Sequence, residues 1–376
     1  MSLQIDHQEI ERRKQLRRDL WDYRKVDHIP VVFWFRHSFG YSLHEQLKST
    51  AVQFEVNLAR IRKALDLLPD DYIPYARVTP GYMTIATMFG LPVYWGDDRN
   101  TAPGVNGCLI TDLEQVYSLS PPALNSGLAP EILQRMRYHA QNLPPDVYLT
   151  GIDCGGPLNS CKDLVDTNAL YTGFYDNPSA LHHLLKLVTE VQLELYHAVV
   201  AAAGGLERMT SLDFDPVWAP ERFKSFVSDD ICAALSPAIF RGFSIPYNNR
   251  LYQPWGSGLL HNCGPHPAKF QYMEHIPRLK GVNCSYHYSF QDFPEFRQIF
   301  AGWGIVEAMF DQDETPDQMV AYFRHMMETF APETIAVPVC MVGDTWSDCD
   351  ITDLYHAMHK IGEDYAANMK WANDRT

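Results

Sequence analysis

A chain of 376 residues, 46% hydrophobic and 20% charged, has the composition of a globular protein with a large core, and its length suits two or three domains or one α/β barrel with long loops. The net charge of −15 argues against nucleic acid or an anionic membrane as partner, because phosphate recognition needs clustered Lys and Arg, and basic runs such as Arg12-Arg13-Lys14 sit in a helical pattern interleaved with acids. No apolar run approaches the ~18 residues of a membrane span, the N-terminus is not signal-like, and eight dispersed cysteines read as free thiols or metal ligands, so the expectation is a cytoplasmic protein.

Residues 8–25 carry an amphipathic helical rhythm, and 1–28 read as a helical N-terminal extension. After Asp27-His28-Ile29-Pro30, the continuous apolar run Val31-Val32-Phe33-Trp34-Phe35 is typical of a buried strand. A helix over 50–68 precedes a second strand at 72–78, and residues 96–128, rich in Gly, Pro, Asn and Asp, form a long excursion. A helix at 130–142 leads into a third strand at 147–153, and a long helix opens at Asn177-Pro178 and runs to about 203. Of the two candidates for the fourth strand, 223–229 is favoured and 209–215 is taken as an insertion. Residues 237–252 read as a helix interrupted at Pro246. Four more strands, at 258–261, 281–286, 304–309 and 334–340, alternate with helices at 268–276, 294–300, 315–330 and 348–371. Eight strands alternating with helices predict an α/β fold, a single (β/α)8 TIM barrel domain over 1–376. No Gly-x-Gly-x-x-Gly or Walker loop follows a strand, so the nucleotide of a doubly wound sheet is not signalled.

In such a barrel the active site forms at the C-terminal strand ends. There lie Arg36 and His37, Arg77, Asp153 and Cys154, Asp229 and Asp230, His261 and Cys263, Cys284, Glu307, and Cys340. Residues two apart on a strand point the same way, so the His-x-Cys of His261-Asn262-Cys263-Gly264-Pro265 can grip one cation. With Cys340 it makes a His-Cys-Cys set that leaves tetrahedral zinc an open position, with Cys284 or Glu307 the alternative fourth ligand. A carboxylate in an apolar strand needs a partner, a proton or a metal, which makes Glu307 a catalytic candidate. Asp229 and Asp230 either cap the next helix or join it at the mouth. Arg36 can hold an anionic substrate group, and His37, Tyr75, Arg77 and Tyr286 complete the candidate substrate-binding set. His266 stands just beyond the turn as a supporting group.

Taken in order, several segments resemble the uroporphyrinogen decarboxylase superfamily over about residues 29–365. They are Pro30 to His37, Met88-Phe89-Gly90-Leu91-Pro92-Val93, Gly155-Gly156-Pro157, Ser236 to Arg241 with Ile245-Pro246-Tyr247, and Leu260-His261-Asn262-Cys263-Gly264. The decarboxylase branch is cofactor-free and uses two arginines and an aspartate after strand two; here Arg36 is present, but no second arginine stands near Phe39-Gly40-Tyr41 and no aspartate near Tyr75-Ala76-Arg77-Val78. The pattern is closer to the zinc methyltransferases that work with corrinoid proteins, with His261, Cys263 and Cys340 in the ligand positions. That resemblance implies transfer of a methyl group between a small methylated compound, such as a methoxylated donor, or a thiol and a cobalamin-bearing (corrinoid) partner protein. It allows a homodimer and involves neither nucleic acid nor membrane. The alternatives are a metal-free decarboxylase of a tetrapyrrole or polycarboxylate, and a non-catalytic barrel that binds a corrinoid or tetrapyrrole.

Overall fold

The computed structural model describes residues 3–81 and 83–372; positions 1–2, where the expected N-terminal extension begins, lie outside the description. Apart from a short antiparallel pair at Val93–Tyr94 and Gly104–Val105 in the long excursion, its strands are β1 (Val32–Phe35), β2 (Tyr75–Ala76), β3 (Tyr148–Leu149), β4 (Ser225–Ser228), β5 (Gly258–His261), β6 (Leu279–Ser285), β7 (Ile305–Phe310) and β8 (Ile335–Val342). β4, β5, β6, β7, β8 and β1 bond in that order into one curled parallel sheet, and β2 and β3 form a second parallel pair. This is a TIM-barrel-like architecture, and β1, β4, β5 and β7 are buried at every residue. Burial on both faces explains why β1 reads as an unbroken apolar run and why none of the four shows a regular apolar–polar alternation.

Residues 209–213 form no regular strand, yet they fill the gap between the two sheets. Thr210 N–H donates to Leu149 C=O, Gly151 N–H to Asp213 C=O and Leu212 N–H to Lys224 C=O, each at 2.8 Å. Gly151 is required there, since a Cβ would lie 1.8 Å from the Leu212 carbonyl oxygen. The fourth strand is therefore the later candidate, and the earlier one is a wedge.

Helices cover the barrel, among them α1 (His7–Trp21), α2 (Thr50–Leu67), α3 (Ala129–Asn142), α4 (Pro178–Ala203), α5 (Pro316–Phe330) and α6 (Asp348–Ala367). Their starts follow from the sequence. Asn177 caps the Ala180 N–H of α4 before Pro178, and Thr315 with Gln318 and Ser347 with Asp350 form reciprocal capping boxes for α5 and α6. α4 buries Leu181, Leu184, Leu185, Val188 and Leu195 on one stripe and ends at Gly204 with φ +91°. α1 closes the foot of the barrel, where Arg13 donates to the Tyr72 carbonyl and Arg17 is buried. Among the described residues no helix is long and apolar enough to cross a membrane.

Candidate metal centre

His261 ends β5, and the parallel register sets it between Ser228 of β4 and Asn283 of β6; Asn283 in turn pairs with Glu307 of β7. Neighbours in register share a face of the sheet, so a row of polar side chains crosses four strands. His261 Nδ1–H donates to Asn283 Oδ1 at 2.7 Å, and Asn283 Nδ2 donates to Glu307 Oε2 at 3.0 Å. With its proton held at Nδ1, the imidazole presents Nε2 to the mouth as a ligand atom.

Two other donors meet that atom. Cys263 Sγ lies 3.5 Å from His261 Nε2, and Asp230 Oδ1 lies 3.4 Å from it. With metal–ligand bonds of roughly 2.0–2.1 Å to N, 2.0–2.2 Å to O and 2.3 Å to S, a tetrahedral zinc-sized ion sets N···S at about 3.5 Å and N···O at about 3.4 Å. The three side chains thus stand at coordinating separations, and their donor atoms all lie within 4.8 Å of one another. Asp230 is fixed in place because Cys263 N–H donates to Oδ1 at 2.9 Å and Ser228 Oγ donates to Oδ2 at 3.1 Å.

The turn that presents Cys263 is braced from behind. Gly264 has φ +105°, and a Cβ there would meet Ser289 Oγ and the Tyr288 carbonyl. Ser289 Oγ donates to Cys263 C=O at 2.9 Å, and buried His266 bonds Tyr272 and Ser289 through its two ring nitrogens at 2.8 and 3.2 Å. His266 therefore holds the loop rather than facing the cavity.

The electrostatics favour a cation at this point. Burial alone would discharge His261, yet Asp230 and Cys263 outweigh it and raise its pKa well above the ordinary value. Burial likewise opposes the charge on Asp230, and His261 together with the Cys263 N–H hold its carboxyl well below the usual range. A spot where burial is overruled in favour of positive charge suits a metal ion equally well.

Cys340 does not join this set. It is fully buried, and its thiol lies 3.5 Å from Met358 Sδ of α6, on the outer face of β8. The next residue, Met341, faces the mouth, where its sulfur meets Arg36 Nη1 at 3.6 Å. Strand parity places Cys340 on the wrong side, and because β8 is apolar on both faces the sequence carries no alternation that reveals it. Cys284 is also fully buried, and burial pushes its thiol far up.

Other expected residues are dispersed. Asp229 turns away from the mouth and accepts from Ser244 Oγ and, at 2.6 Å, from Asn248 Nδ2; burial raises its pKa to about 6 against those bonds. Glu307 lies wholly inside the barrel, facing Asp215; burial pushes both carboxyls up, as expected of a pair that holds a shared proton. Tyr286 stacks on Tyr322 at 4.0 Å and bonds His325 at 2.8 Å, beside α5. Tyr75 donates to the Phe33 carbonyl at 3.4 Å inside the barrel wall, and His37 is buried, where its ring nitrogens meet hydrogen-bond geometry with none of the described residues.

Arg36 and Arg77 do line a cavity, of about 340 Å³, together with Trp34, Arg60, Gln46 and Asp344. Their guanidinium carbons lie 5.7 and 4.8 Å from the Trp34 ring centroid. Burial lowers the Arg77 pKa to about 10, and among the described residues its buried Nε has no hydrogen-bond partner. Trp34 stacks on Phe214 at 6.1 Å, and Phe214 meets the His261 ring edge-on at 5.1 Å, so an aromatic wall joins this cavity to His261. A second cavity, of about 280 Å³, lies on the Asp230 side and is lined by Asp153, Asn159 and Lys162. Asn283, Trp34, Phe214 and Arg60 were missed in the sequence, since only strand register and barrel closure bring them here.

The family model for uroporphyrinogen decarboxylase (URO-D) matches residues 24–219, a stretch that includes Arg36 and Arg77 and ends before Asp230. No curated protein sequence matches the chain. Among solved structures, a methyltransferase from Methanosarcina mazei superposes with a TM-score of 0.70 at 17% identity, over 93% of this chain and 98% of that one, a likeness of fold.

Proposed function

This chain belongs to the uroporphyrinogen decarboxylase family, and from that premise we propose that it is a zinc-dependent methyltransferase. It would move a methyl group between a small methylated compound or thiol and a corrinoid carried by a partner protein. The observation that carries this reading is the Asp230–His261–Cys263 group, whose separations of 3.4 and 3.5 Å fit tetrahedral zinc. A likeness of fold to a methyltransferase supports it.

Asp230, His261 and Cys263 would hold the zinc, which would supply a Lewis acid toward the O, N or S atom that exchanges the methyl group. The protein's own residues do the rest. Asn283 fixes the His261 tautomer and is itself held by Glu307, so Glu307 acts as a positioning residue. Asp153 lines the cavity beside Asp230, and burial raises its pKa, which equips it to hold a proton for the departing or arriving heteroatom. Arg36 and Arg77 would take an anionic end of the substrate, with Trp34 and Phe214 excluding water between the two ends.

The arginine-lined cavity also favours a second reading, a metal-free decarboxylase of a polycarboxylate. Turnover separates the two. Protein reconstituted with zinc should change the visible spectrum of a reduced corrinoid on addition of a methyl donor, and Cys263→Ala should abolish that change. Equal activity after complete removal of metal would overturn the methyltransferase reading.

A further inference from the structure

The opposite end of the barrel holds a second convergence of metal-binding side chains. His28 precedes β1, Asp71 precedes β2, and His359 comes from α6, which packs over the foot where Ile29 N–H donates to Gly362 C=O. Donor atoms of His28, Asp71 and His359 all lie within 4.8 Å of one another. His28 and Asp71 are each 3% exposed, while His359 is half-buried and gives the group an open side.

Each residue is arranged as a ligand. Asp71 Oδ2 accepts from Val31 N–H at 3.0 Å, which orients Oδ1 toward His28 Nε2 at 2.7 Å. His28 Nδ1 bonds the Asp27 carboxylate at 2.9 Å. That is the carboxylate–histidine arrangement which, around metals, fixes the tautomer and makes the other ring nitrogen a better ligand. The His359 ring lies over His28 with centroids 4.3 Å apart, and among the described residues it makes no hydrogen bond. No step of the methyl-transfer scheme uses these residues.

We infer that His28, Asp71 and His359 form a second divalent transition-metal site, one that ties α6 to the strand feet. Two imidazoles and one carboxylate suit zinc, cobalt or nickel rather than calcium or magnesium. On binding, the proton between His28 Nε2 and Asp71 Oδ1 leaves to solvent and the cation takes its place, with no change of oxidation state. The pair must open from 2.7 Å to about 3.4 Å, the N···O separation around a tetrahedral ion.

The test is zinc stoichiometry on metal-stripped full-length protein, with Zn²⁺ itself as probe and circular dichroism confirming the fold of each variant. His359→Ala, on the open side, should lose one equivalent and keep the one that Cys263→Ala removes. Asp27→Ala should keep the stoichiometry but weaken that equivalent by about 10–100-fold. Zinc should also raise the thermal midpoint of Cys263→Ala protein and leave that of the Cys263→Ala, His359→Ala double variant unchanged. If His359→Ala binds as much zinc as the native chain, or if Cys263→Ala protein binds none, the inference fails. If zinc binding is lost with His359 alone and is indifferent to Cys263, this site stands and the mouth site falls.

Discussion

Replacing Asn283 with alanine tests whether the mouth group is built for a metal. Asn283 is fully buried and links His261 Nδ1, at 2.7 Å, to Glu307 Oε2, at 3.0 Å. Its loss leaves a ring N–H and a carboxylate oxygen without these partners, at about 1–3 kcal/mol each, so the metal-free protein should lose roughly 2–6 kcal/mol of stability. The freed imidazole can then rotate or change tautomer. Loss of such a supporting contact weakens metal binding by about 10–100-fold, or about 1.4–2.7 kcal/mol. Zinc affinity by competition with a chromophoric chelator, alongside thermal unfolding of the metal-free form, reads both quantities. A folded Asn283→Ala protein that binds zinc as tightly as the native chain would refute the claim that His261 is held as a ligand.

Other outcomes follow from the same geometry. Cys340→Ala should leave zinc content and activity intact and cost only about 1 kcal/mol for the small space left beside Met358, measured by urea unfolding. Arg77→Met keeps an aliphatic side chain on Trp34 but removes a buried, partly unpartnered charge. KM for an anionic substrate should rise by about 10–100-fold, from the loss of about 1.5–3 kcal/mol of charged hydrogen bonding, while kcat and stability hold or improve. His139 is buried, with Nδ1 donating to the Arg135 carbonyl and Nε2 accepting from Asn57 Nδ2; burial, partly offset by the first bond, lowers its pKa to about 4. The unfolded chain takes up this proton near pH 6.5, so the stabilisation is complete above that pH and is lost as pH falls toward 4, up to about 3 kcal/mol. His139→Gln should flatten that slope in pH-dependent denaturation, and an unchanged slope would remove His139 as its source.

The barrel was legible because strands such as β1 and β8 announce themselves as apolar runs and long helices by their starts, as at Asn177 and Thr315, while the Ser-Phe-Val-Ser of β4 left the fourth strand with a rival candidate. The pairing of His261 with Cys263 was legible too, since an i, i+2 spacing at a strand end is a local property. What failed was information that resides between strands. β8 is apolar on both faces, so nothing in Val339-Cys340-Met341 shows which residue looks inward. Asp229 and Asp230 are adjacent and chemically equal in the sequence, and only the structure sends one to Ser244 and Asn248 and the other to His261. Asn283 gave no signal, because its role comes from the register of β6 against β5 and β7. The foot group was hidden for a related reason, since His359 reaches His28 only through the packing of α6.

The central claim is that Asp230, His261 and Cys263 hold the catalytic zinc, and zinc content at the mouth tests it most directly. Protein carrying His359→Ala, which silences the foot group, should bind one zinc per chain, retain it with Cys340→Ala added, and lose it with Asp230→Ala or Cys263→Ala added. Zinc retained in a folded Cys263→Ala protein of that background, or lost with Cys340→Ala instead, would contradict the account.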